Sequence, residues 1–133
     1  MKYTILSICL FLSILASAQE KKDSPTPRIR QYWFVMLVKG PSRSQDSVTA
    51  AKLQEGHMAN MQKMHADGKL KVAGPFGDDG DWRGIFIFDC ETKEEVLKLL
   101  AQDPAIAAGR LAYEIHPWYT VPLGSFVPGK PKN

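Results

Sequence analysis

The sequence predicts an α+β fold in the order βαββαβ, with two helices on one face of a four-stranded antiparallel sheet. Three observations carry this. Strand-like segments, apolar throughout or alternating, recur four times, and capped helical segments follow the first and the third. The first and third strands are apolar on both faces, whereas the second and fourth alternate. This is the split βαβ, ferredoxin-like arrangement, whose sheet order 4-1-3-2 makes strands one and three central.

The first strand is residues 32–38 (YWFVMLV), ended by Gly40 and Pro41. Asp46 or Ser47 then caps a helix that runs to Gly68, whose freedom at positive φ suits a helix end. Along it Leu53, His57, Met61 and Met64 fall on one face, so an imidazole stands in an apolar stripe. A buried polar group without a partner costs about 1–3 kcal/mol, so His57 needs a partner from elsewhere in the fold. Gly56 weakens this helix by about 1 kcal/mol relative to Ala. Its place beside His57 suits a close backbone approach and suits an exposed position equally well. Residues 69–73 form the alternating second strand, the turn-rich residues 74–81 follow, and residues 82–90 form the third strand. Thr92 caps the second helix, with Glu95 as its capping-box partner and Val96, Leu99 and Leu100 as its apolar face. Asp103 and Pro104 suit N-cap and N1 of a further helical turn. Residues 111–116 form the last strand, closed by Pro117 and Trp118.

Outside this unit the chain reads differently. Residues 1–18 have a basic start, an uncharged apolar run and a small-residue site at Ala16-Ser17-Ala18, the pattern of a signal peptide cleaved before Gln19. The run is about a dozen residues, where a bilayer span takes ~20. Export to the periplasm or the extracellular space is the expectation, with no stable membrane insertion after cleavage. A retained anchor and lipidation at Cys9 are the weaker readings. Residues 19–31 read as a polar linker, 32–120 as the folded domain, and the proline-rich residues 121–133 as a flexible tail.

The formal net charge is +3 at pH 7, and the signal segment takes Lys2 with it. With charges scattered and no basic stripe, nucleic-acid binding finds no support. Once Cys9 is removed, Cys90 stands alone, which excludes a disulfide scaffold and fits a buried, inert thiol. Two helices cover one sheet face only. The doubly apolar centre therefore calls for a second cover, supplied by sheet-to-sheet homodimerisation or, less well, by the tail folding back.

Residues 57–70 (HMANMQKMHADGKL) with Ala73-Gly74-Pro75, residues 102–109 (QDPAIAAG) and residues 115–118 (IHPW) together resemble the YciI-like, or YCII-related, domain family. The resemblance implies a dimeric α+β barrel and a histidine–aspartate pair for acid–base chemistry. Carried over by residue, these are His57 and Asp103. The export signal departs from the family's usual leaderless form, and the acidic loop offers Asp78, Asp79 or Asp81 as replacement or supplementary carboxylates.

A carboxylate at one imidazole nitrogen sets the tautomer and leaves the other nitrogen to move a proton. As bland alternatives, Asp103 only caps its turn and His57 is a satisfied core residue. Asp79, Trp82 and Trp118 are the candidate substrate-binding residues. The methionines at 58, 61 and 64 read as core filler, and Arg83 and Arg110, able to bind a carboxylate, as surface residues. His65 and His116 lack ligand spacing with His57, so neither a metal nor a cofactor is expected. The leading expectation is His57/Asp103 proton transfer on a small organic molecule, of isomerase, lyase or dehydrochlorinase type. A non-catalytic small-molecule-binding or interaction module on the same scaffold is the rival. A cofactor-free monooxygenase is a weaker third, resting on fold analogy alone.

Overall fold

The computed structural model describes residues 29–121. The expected signal peptide, most of the linker and all but the first residue of the tail lie outside the described residues. The elements are β1 (Arg30–Lys39), α1 (Ser47–Ala66), β2 (Leu70–Pro75), β3 (Trp82–Phe88), α2 (Lys93–Ala101), α3 (Pro104–Ala107) and β4 (Leu111–Thr120). The strands form one antiparallel sheet in the order β2-β3-β1-β4, the expected 4-1-3-2 read from its other edge.

Period-2 alternation sorts the central strands into two apolar faces. Val35 and Leu37 of β1 and Phe86 and Phe88 of β3 point to the helices. There they form the core with Met64 of α1, Val96 and Leu100 of α2, Leu70 and Cys90. Burying a side chain of Phe or Leu size contributes about 1.5–3 kcal/mol, so this layer dominates the stability of the unit. The alternate residues Phe34, Met36 and Val38 face Ile87, Ile85 and the start of β3 across the ladder. All five are half-buried, and no described helix covers them.

Local chemistry sets the boundaries. The Asp46 carboxylate caps α1 by accepting from the Thr49 amide at 2.8 Å, and Gly68, at φ +72°, ends it. Thr92 caps α2 through the Glu95 amide. The return bond of the capping box is displaced by one residue, because the Glu95 carboxylate accepts from the Glu91 amide.

Several boundaries differ from those read in the sequence: β2 runs on through Gly74 and Pro75, residues expected in the turn, because both pair with β3. β1 begins at Arg30, inside the expected linker, because β4 continues to Thr120 and pairs with it. Pro117 does not close β4: it lies opposite Trp33 on an edge strand, where a missing amide hydrogen need not break the ladder. β3 stops at Phe88, and Cys90 lies just beyond it, buried, with its thiol pushed up to about 11 by that burial.

Candidate active site

The site begins with the two segments that the core brings together. The stripe on α1 is buried at His57 and Met64 and half-buried at Leu53 and Met61, with Asn60 joining the buried set. His57 lies with its ring near parallel to Phe86 of β3, centroids 5.8 Å apart and planes 21° apart. Its partner comes from the turn before α3. Nδ1 of His57 is 2.6 Å from Oδ2 of Asp103, a carboxylate with no solvent exposure. The other oxygen, Oδ1, accepts from the Ala105 and Ile106 amides at 2.9 and 3.3 Å. One carboxylate thus caps α3 and holds the imidazole at the same time.

That geometry sets the charge state. Burial raises the Asp103 carboxyl, but the His57 hydrogen bond and charge, with the Ile106 and Ala105 amides, outweigh it. The net result lies below the ordinary carboxylate range, so Asp103 stays ionised at neutral pH and accepts a hydrogen bond from Nδ1–H. No described residue bonds Nε2 of His57, and among the described residues no buried side-chain nitrogen or oxygen is without a partner. Nε2 is therefore the accessible edge of the ring.

Gly56 makes this approach possible. A Cβ there would lie 2.5 Å from Cγ of Pro104, the residue following Asp103. In an unobstructed helix Gly56→Ala would gain about 1 kcal/mol, but overpacking costs about 1–3 kcal/mol. Gly56→Ala is expected to lower the melting temperature and loosen the His57–Asp103 contact. A higher melting temperature with an unchanged imidazole NMR spectrum would show that the approach has slack.

Beside His57 opens a cavity of about 430 Å³, within the usual range for small-molecule sites. Phe86, Leu37, Met58 and Met61 form its apolar wall, and Arg43, Arg83 and Arg110 its polar side. Arg83 and Arg110, both half-buried in this wall, correct the surface assignment made from sequence. Arg83 is the extra residue of a bulge, since Leu37 pairs with Gly84 and Val38 with Trp82, so strict alternation does not predict its direction. Arg110 is held by the meeting of two turns, with the Gly40 amide bonded to its carbonyl. A Cβ on Gly40 would sit 2.1 Å from the Gly109 carbonyl, which shows how closely these turns cross. Arg43 donates to the same Arg110 carbonyl at 2.9 Å. Only this long-range crossing gives Arg43 significance; its own loop carries no sequence signal. Met58 and Met61 line the cavity, Met61 while also packing against the core, and Met64 is fully buried in it.

Asp79, Trp82 and Trp118, the candidate substrate-binding residues, do not line this cavity. Trp82 packs near Phe76 by the acidic turn, and the Asp79 carbonyl accepts from Lys39 there. Trp118 lies near Tyr32, toward the end of the extended β4, with 40% of its surface exposed. Asp78, Asp79 and Asp81 stay in that exposed turn, away from Asp103's position beside His57. His65 is exposed, and His116 faces solvent beside Glu114. Among the described residues no three of His, Cys, Asp and Glu group as a metal site. No described helix is long and apolar enough to cross a membrane.

The sequence profile of the YCII-related domain matches residues 33–119, nearly the whole described unit. The chain belongs to the YCII-related domain family. This YCII-related protein is also similar to a 5-chloro-2-hydroxyhydroquinone dehydrochlorinase from Burkholderia phenoliruptrix AC1100, solved with 2,5-dihydroxybenzoquinone. That match has 26% identity over 65% of this chain and 92% of the other, with a TM-score of 0.48. A dimeric ferredoxin-like protein from an uncultured marine organism matches with 13% identity over 74% of this chain and 100% of the other, at a TM-score of 0.35. No curated protein matches this YCII-related chain.

Proposed function

We propose that this YCII-related protein is an exported enzyme that moves a proton on a small organic molecule, with His57 as acid–base catalyst and Asp103 as the group that orients it. The observation that carries the reading is the 2.6 Å contact of a solvent-free carboxylate with Nδ1, beside a cavity reached by the opposite ring edge. With Nδ1–H donating its hydrogen bond to Asp103, Nε2 presents a lone pair. It takes a proton from a carbon next to a substrate carbonyl, and the C–H electron pair moves onto the carbonyl oxygen as an enolate. Return of the proton from Nε2 to another carbon completes an isomerisation. Loss of a leaving group from the adjacent carbon, with its electron pair, completes an elimination. Asp103 remains ionised and stabilises the imidazolium formed in between. The reading places the protein outside the cytoplasm on the signal-peptide pattern of residues 1–18. It makes the working form a homodimer, on the apolar sheet face that the helices leave open.

Solvent exchange tests the chemistry without a known substrate. In D₂O, the protein is expected to catalyse deuterium incorporation next to the carbonyl in members of a panel of small keto acids, enones and hydroxyquinones. His57→Gln should lower that rate roughly 10²–10⁴-fold. Exchange that survives His57→Gln removes the imidazole from the mechanism. Saturable binding with no exchange in any compound points instead to the small-molecule-binding module.

A further inference from the structure

We infer that the cavity beside His57 takes a small organic anion, a carboxylate in its simplest form, held by the guanidinium groups of Arg43, Arg83 and Arg110. The inference rests on the reading of this cavity as the substrate site and adds the chemical class of what enters it.

The positive charge at this cavity has no carboxylate in its lining. Three of the four described arginines line one cavity, and no aspartate or glutamate lines it with them. The fourth, Arg30, is far from it and pairs with Asp89 at 2.6 Å. None of the three cavity arginines forms an ion pair with a carboxylate of the described residues. Their recorded bonds go to neutral acceptors: Arg43 to the Arg110 carbonyl, Arg83 to the Asp78 and Gly80 carbonyls, and Arg110 to the Gln45 amide oxygen at 3.0 Å. Of the acidic turn beside Arg83, Asp81 pairs with Lys39 and Asp78 accepts from the Gly80 amide, and none of Asp78, Asp79 and Asp81 lines the cavity. These neutral bonds use one Nη of each fork and position it, leaving further N–H donors on each group.

A guanidinium offers paired donors that match the two oxygens of a carboxylate, and it cannot lose its charge at neutral pH. Like charges sharing one partly enclosed space repel, and an anion entering it relieves that repulsion. The same cations share the cavity with His57, whose removal of a proton would place negative charge on a substrate oxygen. They would stabilise that charge more than they stabilise the neutral carbonyl. The apolar wall of Phe86, Leu37 and the two methionines suits the carbon frame. Anion recognition at one side and proton transfer at His57 are separable functions of one cavity.

Binding of benzoate and of its uncharged isostere benzamide to the purified protein tests this, followed by calorimetry and by the NMR shifts of residues lining the cavity. Benzoate is expected to bind at least about tenfold more tightly than benzamide, with the preference weakening as salt is added. Arg83→Gln and Arg110→Gln should each remove most of that preference, lowering the affinity for benzoate much more than that for benzamide. Arg43→Gln, at an exposed position, supplies the same test should Arg110→Gln fold poorly. His57→Gln should retain the preference, so failure of proton transfer and failure of anion recognition give different results. Equal affinity for the two probes, a preference that survives the arginine substitutions, or no response of the cavity residues to millimolar benzoate would each overturn the inference.

Discussion

Asp103→Ala is expected to be among the most damaging single substitutions in the folded unit. It removes a carboxylate that is wholly out of solvent and has its two oxygens committed, one to His57 and one to the Ala105 and Ile106 amides. Breaking a buried pair in this way costs about 3–5 kcal/mol. At ~4–8 °C per kcal/mol for a unit of this size, the melting temperature should fall by more than about 10 °C. Asp103→Asn separates structure from chemistry. Its amide oxygen can still cap α3, but its amide nitrogen must donate to Nδ1, which moves the imidazole proton to Nε2 and removes the base. A comparable swap in a Ser-His-Asp triad lowers turnover roughly 10⁴-fold. Imidazole ¹⁵N spectra should show an Nδ1–H tautomer in the native protein and Nε2–H in Asp103→Asn. The same tautomer in both would sink the orienting role.

The pH dependence has a definite sign. The Asp103 carboxyl lies below its ordinary value in the folded protein, because His57 and the two amides outweigh burial. Its contribution to stability is therefore complete above the unfolded carboxylate pKa of about 3.9 and is lost as the pH falls below that toward the folded value. The stability difference between native protein and Asp103→Asn should shrink below about pH 4. A difference constant down to the acid transition would contradict this.

The second large effect concerns the open face of the sheet. Ile87 sits in the middle of it, between Phe34 on β1 and Val72 on β2. In the proposed homodimer, Ile87→Glu places an unpaired charge in the interface. At about 3–5 kcal/mol the substitution should weaken association by two orders of magnitude or more. Sedimentation at micromolar concentration should find the native chain dimeric and Ile87→Glu monomeric, with the circular dichroism of the fold retained. A native protein that sediments as a monomer would remove the homodimer from the functional reading.

The chain's own pattern was enough for the architecture, because the relevant forces act locally. Alternation at periods of 2 and 3.6 residues located the strands and helices. Asp46 and Thr92 marked helix starts, and Gly68 a helix end, by satisfying or freeing backbone groups. The double apolarity of residues 32–38 and 82–88 identified the central strands. His57 stood out for the same reason, as a polar group in an apolar stripe. Residue type also put Asp103 at a helix start, while its pairing with His57 came from the family resemblance.

Other features depend on approaches between distant segments, which no local pattern records. The contact of Gly56 with Pro104 brings the Asp103 turn against α1, and the crossing of Gly40 with Gly109 seats Arg110. A bulge sets Arg83 apart from strict alternation, and pairing with the first strand carries β4 past Pro117. Trp82 and Trp118 read as site residues because large aromatics suit pockets, yet in the fold they sit outside the His57 cavity. The sequence by itself determined which residues must be buried and which of them would need a partner. Only the tertiary structure decided what surrounds His57, because the charges of that cavity come from loops and a bulge whose directions are set by long-range packing.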